Sequence, residues 1–296
     1  MHIKLAENFR AVFYAPLYAA HALGFYAREG VDVELLSSAA PGDGVAALLR
    51  GEIDVSWGGP MRVMKGRDSD ATCPLACFGE VVARDPFFLV GRNPEFKLSD
   101  LPALRFAAVS EVPTPWLCLQ HDLRKQGIDP TRLARAPALS MADNFKALCA
   151  GHLDAMQVFE PYASLAVQSD KGHVVYAASN RGPTVYTTFI ATRDRIEQKR
   201  ECFMRTLRAL AHMQEWLIQH SAEELAEVTA AFFPDIPYPV LVSSLHRYGE
   251  GEIWARSPDV SRRGFAQLGE CLLSGGFISR TPSYEDCVEQ SLTFNR

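Results

Sequence analysis

Polar and aromatic residues that could bind a small molecule are concentrated in four short loops. The loops are residues 7–10, 57–60, 110–114 and 159–162, and each follows a stretch with the pattern of a β-strand. In open α/β sheets, ligands bind outside the carboxyl ends of the strands, where such loops converge. The sequence therefore predicts one binding site that is assembled from distant parts of the chain.

These loops and their neighbours offer three kinds of contact. Asn8, Glu111 and Glu160 can accept hydrogen bonds, and aromatic side chains can stack on a flat ligand. The two glycines before Pro60 let the backbone approach a ligand closely, and Thr114 lies where a helix is predicted to begin. The predicted ligand-binding residues are Asn8, Phe9, Tyr14, Trp57, Gly58, Gly59, Pro60, Glu111, Thr114, Glu160 and Tyr186.

Ordinary structural roles stay open for several of these residues. Trp57 could belong to the core, and Phe9 could pack under a neighbouring segment. Thr114 could act only as a helix N-cap, and Glu160 could simply favour the N-terminus of the helix that follows it. The sequence alone does not separate these roles from ligand contact.

The chemistry of the loops favours a flat, nitrogen-bearing heterocycle such as an aminopyrimidine. A carboxylate can accept hydrogen bonds from the amino edge of such a ring while aromatic side chains stack on its face. Arg10, Arg62 and Arg181 support a carboxylate or sulfonate ligand as the alternative. Pro113 and Pro115 each remove an amide donor from the third loop, which weakens anion binding there.

Motifs of enzymes are absent from the sequence. It has no Gly-x-Ser-x-Gly, no Walker loop, no Gly-x-Gly-x-x-Gly after a strand and no His-Glu-x-x-His. His212 and Glu215 share one predicted helix but are expected to be surface residues. No catalytic residue, metal site or cofactor is therefore expected, although a catalytic group assembled from distant loops stays possible in principle.

Composition limits the classes of partner. The 296 residues include 48% hydrophobic and 22% charged residues, which is typical of a globular chain long enough for two lobes. The net charge of -5, without a block of basic residues, argues against nucleic acid as a partner. The seven cysteines have no regular spacing and are expected to be free thiols.

Apolar stretches in the sequence are too short or too interrupted to form a membrane-spanning helix or a signal peptide. No run of 18 apolar residues is present, so no membrane-spanning helix is expected. The apolar segment 11–27 is interrupted by Pro16, His21 and Gly24, so we do not interpret it as a signal peptide. The protein is expected in the periplasm if a signal peptide has been removed, and in the cytoplasm if the chain as written is complete.

The elements that position the loops follow from a repeated unit. The segments ALLRGEIDVSWGGP at residues 47–60 and ALCAGHLDAMQVFEP at residues 147–161 each predict a helix that stops at glycine and a strand that follows. Alternating strands and helices predict an α/β fold with mostly parallel sheets. The same unit in two places predicts two lobes.

Two extended segments, residues 85–93 and 183–194, are predicted to be hinge strands where the chain crosses between the lobes. Lobe one would then contain residues 1–87 and 187–296, and lobe two residues 88–186. The last hundred residues have helical periodicity and no further strand pattern, so we expect them to form a helical extension of lobe one.

Several segments occur in a familiar order within residues 3–215: APLYAAHALGFYAREGVDVELL, ALLRGEIDVSWGGP, DPFFLVGR, LSDLPALRFAAV and ALCAGHLDAMQVFEPY. This order resembles the nitrate-, sulfonate- and taurine-type solute-binding proteins of ABC transporters, whose relatives include proteins that bind or make the thiamine pyrimidine precursor. The resemblance implies a type 2 periplasmic-binding-protein fold with a hinge between two lobes. It also implies a small-molecule ligand in the interlobe cleft and the membrane subunits of an ABC importer as partners.

Departures from the family pattern bear on the ligand. The turn before the long helix resembles Gly-Ser-Thr in sulfonate binders, whereas Val112-Pro113-Thr114 stands here. The lysine and histidine of the fungal pyrimidine synthases fall on Gly58 and Arg62, which argues against that chemistry. The alternatives left open are a cytosolic enzyme on the same fold, similar to a pyrimidine synthase or a decarboxylase, and a cytosolic ligand sensor.

Overall fold

The structure, a computed structural model, describes residues 1–38 and 40–292, and in this part of the chain nine strands form two sheets. The first sheet contains β1 (His2–Ala6), β2 (Asp32–Leu36), β3 (Val55–Gly58), β4 (Leu75–Val82) and β9 (Thr187–Thr192). Its strand order is β2-β1-β3-β9-β4. The second sheet, in the order β6-β7-β5-β8, contains β5 (Phe88–Gly91), β6 (Phe106–Ala107), β7 (Ala155–Val158) and β8 (His173–Ala177).

One strand in each sheet runs against its neighbours. β1 pairs in parallel with β2 and β3, whereas β9 is antiparallel to β3 and β4. β5 is antiparallel to both β7 and β8. The reversed strands β5 and β9 lie within the two segments predicted as crossovers, and the prediction of mostly parallel sheets is confirmed apart from them.

The helices that follow the first three strands lie beside the first sheet. They are α1 (Ala15–Ala22), α2 (Phe25–Arg28), α3 (Asp43–Leu49) and α4 (Met61–Ser69). The sequence predicts a helix that begins near Pro16, with Gly24 and Gly30 as its candidate ends, and α1 ends before Gly24 while α2 ends before Gly30. Gly24 adopts a left-handed conformation with φ of 72°, which ends α1 and turns the chain into α2.

The repeated unit is confirmed in both sheets. α3 and β3 form the first copy, and the second copy is formed by β7 and α6 (Met141–Cys149). Gly51 and Gly151, which follow the two helices, have φ of 71° and 77° and supply the same left-handed turn. Ser140 caps α6 by accepting a hydrogen bond from the amide of Asp143 at 3.1 Å.

Two further helices accompany the second sheet: α5 (Thr114–Lys125) and α7 (Tyr162–Gln168). After β9 the chain is helical, with α8 (Arg193–Gln198), α9 (Arg200–Gln219), α10 (Ala222–Thr229), α11 (Tyr238–Glu250), α12 (Arg262–Ser274) and α13 (Tyr284–Cys287). α9 packs on β4 and buries Phe203, Leu207 and Leu210 completely. These side chains lie on the stripe that the helical periodicity predicted.

The C-terminal helices pack on elements of both sheets and on the helices beside them. α10 packs on α1 and α13 on β4, but α11 also packs on α7, and α12 packs along α5. His121 on α5 and Ser274 on α12 are joined by a 3.2 Å hydrogen bond between Nδ1 and Oγ. The C-terminal extension therefore bridges the two halves of the molecule, while the lobe limits at residues 87/88 and 186/187 stay a prediction.

Candidate functional site

A small cavity of about 20 Å³ lies where the loop after β1, the start of α4, the start of α5 and the second crossover meet. We call it the central cavity. Six of the eleven predicted ligand-binding residues line it: Asn8, Phe9, Tyr14, Gly59, Thr114 and Tyr186. Met61, Arg62, Val112 and Pro113 complete its wall.

Contacts with the backbone position the polar groups of this cavity. Asn8 accepts a hydrogen bond from the amide of Gly42 at 3.0 Å, which holds its side chain against the loop before α3. A Cβ added at Gly59 would lie 3.2 Å from the side chain of Met61, so a larger residue there would require that side chain to shift. Thr114 is the first residue of α5, where the partial positive charge of the helix favours an anion.

Two tyrosines line the central cavity as neutral hydroxyl groups. Burial raises the pKa of Tyr14 to about 12, although hydrogen bonds with Asn8 and Thr187 oppose this rise. Burial likewise raises the pKa of Tyr186 well above its ordinary value. Both side chains therefore stay protonated at neutral pH and can donate a hydrogen bond to a ligand oxygen.

Arg62 is the charged residue of the central cavity, and it was missing from the predicted site residues. Its guanidinium is largely buried, which lowers its pKa, while Tyr14, Asp43 and Tyr186 favour the charged form. Among the described residues no carboxylate forms an ion pair with Arg62. Its position two residues after Pro60, at the start of α4, was the signal that could have identified it.

The other two arginines named with Arg62 have internal partners. Arg10 forms an ion pair with Glu7 at 2.9 Å. Arg181 is 3% exposed and bridges two buried carboxylates, those of Asp85 at 2.9 Å and Asp122. Of the three arginines that the anion alternative relied on, Arg62 is therefore the one left available to a ligand.

Three predicted residues of the second loop do not line the central cavity. Trp57 is 0% exposed and packs among aromatic rings, with centroid distances of 5.8 Å to Tyr14 and 5.6 Å to Tyr18. Gly58 faces the side chain of Asn8, and Pro60 precedes α4 as a buried residue. For Trp57 the structure thus matches the core alternative, and its ligand contact stays a prediction.

A second cavity of about 590 Å³ adjoins the central cavity, and we call it the outer chamber. Phe9 and Val112 line both spaces. The remaining wall comes from residues 140–142 and 159–165 beside the second sheet, from residues 232–236 between α10 and α11, and from residues 10–12, Pro41 and Glu111. The two other predicted residues, Glu111 and Glu160, lie at this chamber.

Both glutamates already have internal hydrogen-bond partners. Glu160 is 0% exposed, and its carboxylate accepts from the amide of Ser164 at 2.8 Å and from Arg247 Nε at 2.8 Å. Burial raises its pKa, and these partners oppose the rise. Glu111 is exposed and accepts from the amide of Met141 at 2.6 Å. Glu160 is therefore enclosed by its own partners, and Glu111 is held by a backbone amide at an exposed position.

The described part of the chain offers neither a cluster of metal ligands nor a helix that could cross a membrane. Residues 1–38 and 40–292 contain no group of three His, Cys, Asp or Glu side chains placed to hold a metal ion. The helices in this part of the chain are too short or too polar to cross a membrane.

Comparison of the sequence with known proteins identifies its family. The sequence matches the NMT1-like family over residues 9–231. It is 25% identical over 294 residues to YtlA of Bacillus subtilis, for which a binding role is proposed, covering 98% of this chain and 88% of that protein.

Solved structures with the same fold include two ligand-binding proteins. The periplasmic aliphatic sulphonate-binding protein SsuA of Escherichia coli superposes with a TM-score of 0.76 at 18% identity, covering 98% of each chain. The ligand-binding component of an ABC-type import system from Staphylococcus aureus gives 0.74 at 16% identity, covering 99% of this chain and 97% of that one. The chain belongs to the NMT1-like family and has the fold of periplasmic solute-binding proteins.

Proposed function

We propose that this protein binds a small organic anion between its two lobes and delivers it to an ABC importer as the substrate-binding component. The observation that carries the proposal is the guanidinium of Arg62, which is largely buried at the central cavity and forms no ion pair with a carboxylate of the described residues. A buried charge is costly unless it is paired, so an anionic ligand group is the natural partner.

The surrounding groups fit an oxyanion. Tyr14 and Tyr186 stay protonated and can donate hydrogen bonds, and Thr114 stands at the N-terminus of α5. A carboxylate or sulfonate offers two or three acceptor oxygens to such donors. This set of donors favours the organic-acid alternative over the aminopyrimidine, because the acceptors predicted for the heterocycle, Asn8, Glu111 and Glu160, already accept hydrogen bonds within the protein.

Ligand entry requires the two halves to separate. A space of about 20 Å³ holds about one water molecule, which is less than a carboxylate or sulfonate needs. The reversed strands β5 and β9 are the crossovers about which such a movement would occur. The proposal therefore includes a hinge that opens to admit the ligand and closes around it.

Isothermal titration calorimetry and thermal shift with short carboxylates, short sulfonates, nitrate and aminopyrimidines test the proposal. A ligand present at 100 times its dissociation constant should stabilise the fold by about 2.7 kcal/mol. We expect an anion to bind and Arg62→Met to weaken it by roughly 10- to 100-fold, because a charge-assisted hydrogen bond is lost. Arg263→Met, which alters an exposed arginine on α12, should leave the affinity unchanged.

Binding of an aminopyrimidine without any anion would refute the anion assignment and restore the heterocycle hypothesis. Anion binding that is equally strong in Arg62→Met would show that the central cavity is not the site.

A further inference from the structure

We propose that the ligand has an aromatic body that lies in the outer chamber, so that the protein binds aromatic carboxylates or sulfonates. This inference rests on the proposed anion site at Arg62 and extends it to the rest of the ligand. It follows from the sizes, the lining and the charges of the two adjoining spaces.

The sizes of the two spaces divide the ligand into a head and a body. The central cavity of about 20 Å³ is smaller than an anionic head as it stands, so after the lobes separate we assign to it the head alone. The outer chamber of about 590 Å³ lies within the range of pockets that enclose small organic molecules. Because Phe9 and Val112 line both spaces, a small movement of these two side chains would connect them.

The lining of the chamber is rich in aromatic side chains from both halves of the molecule. Phe9 stacks on Phe159 with a centroid distance of 6.1 Å and an interplanar angle of 24°. Tyr162 lies 6.3 Å from Phe159, and Phe232 brings a third partly exposed ring from the C-terminal extension. Such partly exposed rings lose water contact when a flat aromatic group is inserted between them.

The buried carboxylates beside the chamber are paired with arginines within the protein. Arg10 pairs with Glu7, and Glu160 pairs with Arg247. Glu111 accepts hydrogen bonds from backbone amides, and Asp235 lies exposed at the rim. Since the wall offers no unpaired buried charge, an uncharged aromatic body fits the chamber, and the single charge of the ligand is expected at Arg62.

Isothermal titration calorimetry of the full chain with three sulfonates tests the inference: methanesulfonate, hexane-1-sulfonate and 2-phenylethane-1-sulfonate, with the corresponding carboxylates as a second series. We expect the phenyl compound to bind at least about tenfold more tightly than methanesulfonate, since one ring is buried. It should also bind several-fold more tightly than the hexyl compound, because stacking adds to burial.

Two matched substitutions locate the effect. Ile236→Trp fills the chamber and should bring the ratio of phenyl to methyl affinity close to one. Ile218→Trp changes a residue of α9 that is 62% exposed and should preserve the ratio. Equal affinities for all three sulfonates and carboxylates in the unmodified protein, or a ratio that survives Ile236→Trp, would overturn the inference. If no anion binds at all, the proposed function itself fails.

Discussion

The ion pair between Glu160 and Arg247 should respond asymmetrically to removal of either partner. Glu160 is completely buried, whereas the side chain of Arg247 is 27% exposed. Arg247→Met leaves a buried carboxylate without its cation, which we expect to reduce the free energy of unfolding by about 3–5 kcal/mol. Glu160→Gln leaves an arginine that can reach water and keeps an acceptor for Ser164, so its cost should be about 1–2 kcal/mol.

The pH dependence provides a second signature of the same reasoning. Burial raises the pKa of Glu160 in the folded state above its ordinary value, so the folded state binds the proton more tightly than the unfolded chain. In Arg247→Met this difference increases, and the carboxyl group becomes neutral in a wider range of pH. The loss of stability should therefore be smaller at pH 5 than at pH 8.

Urea unfolding followed by tryptophan fluorescence measures these differences. The control is Arg256→Met, which breaks a pair with Glu252 of nearly the same length, 2.9 Å, but at the surface, where the arginine side chain is 74% exposed. This change should cost less than about 1 kcal/mol. If Arg247→Met costs no more than Arg256→Met, or if its effect does not depend on pH, the buried charge of Glu160 has been misjudged.

Three other perturbations have defined outcomes. Burial raises the pKa of Glu80 to about 8. The free energy of unfolding should therefore fall by up to about 1.4 kcal/mol per pH unit between the ordinary glutamate pKa and pH 8. Glu80→Gln should flatten this dependence on pH in a series of denaturation experiments. Trp57→Ala should lower the unfolding free energy by about 3–5 kcal/mol in urea titrations, because a fully buried ring is removed. Arg181→Met should cost about 3–5 kcal/mol by the same measurement, since Asp85 and Asp122 lose their shared cation; a cost under 1 kcal/mol would contradict the assignment of this cluster as buried.

The repeated helix and strand could be recognised from sequence because their signals are local. Gly51, Gly151 and the N-cap Ser140 each act on the few residues around them. β4 and β8 were not predicted. β4 is buried along its whole length, so it has no alternation of exposed and buried positions, and Gly79 and the buried Glu80 interrupt its apolar run.

The candidate site was predictable as a set of loops but not as a set of side-chain directions. The rule that ligands bind at strand ends found Asn8, Phe9, Gly59 and Thr114 of the central cavity. It could not show that Glu160 turns inward, because its partner Arg247 lies 87 residues further along the chain. The ion pairs of Arg181 with Asp85 and Asp122 likewise join residues that are distant in the sequence, so they required the folded structure.

The C-terminal extension ties the stability of the two sheets together. α9 and α13 cover β4 of the first sheet, while α11 and α12 cover α7 and α5 beside the second. If either half unfolded, these shared helices would separate from the other half and expose the apolar face of that half to water. The chain should therefore melt as one cooperative unit, with a single calorimetric peak, although it contains two separate sheets.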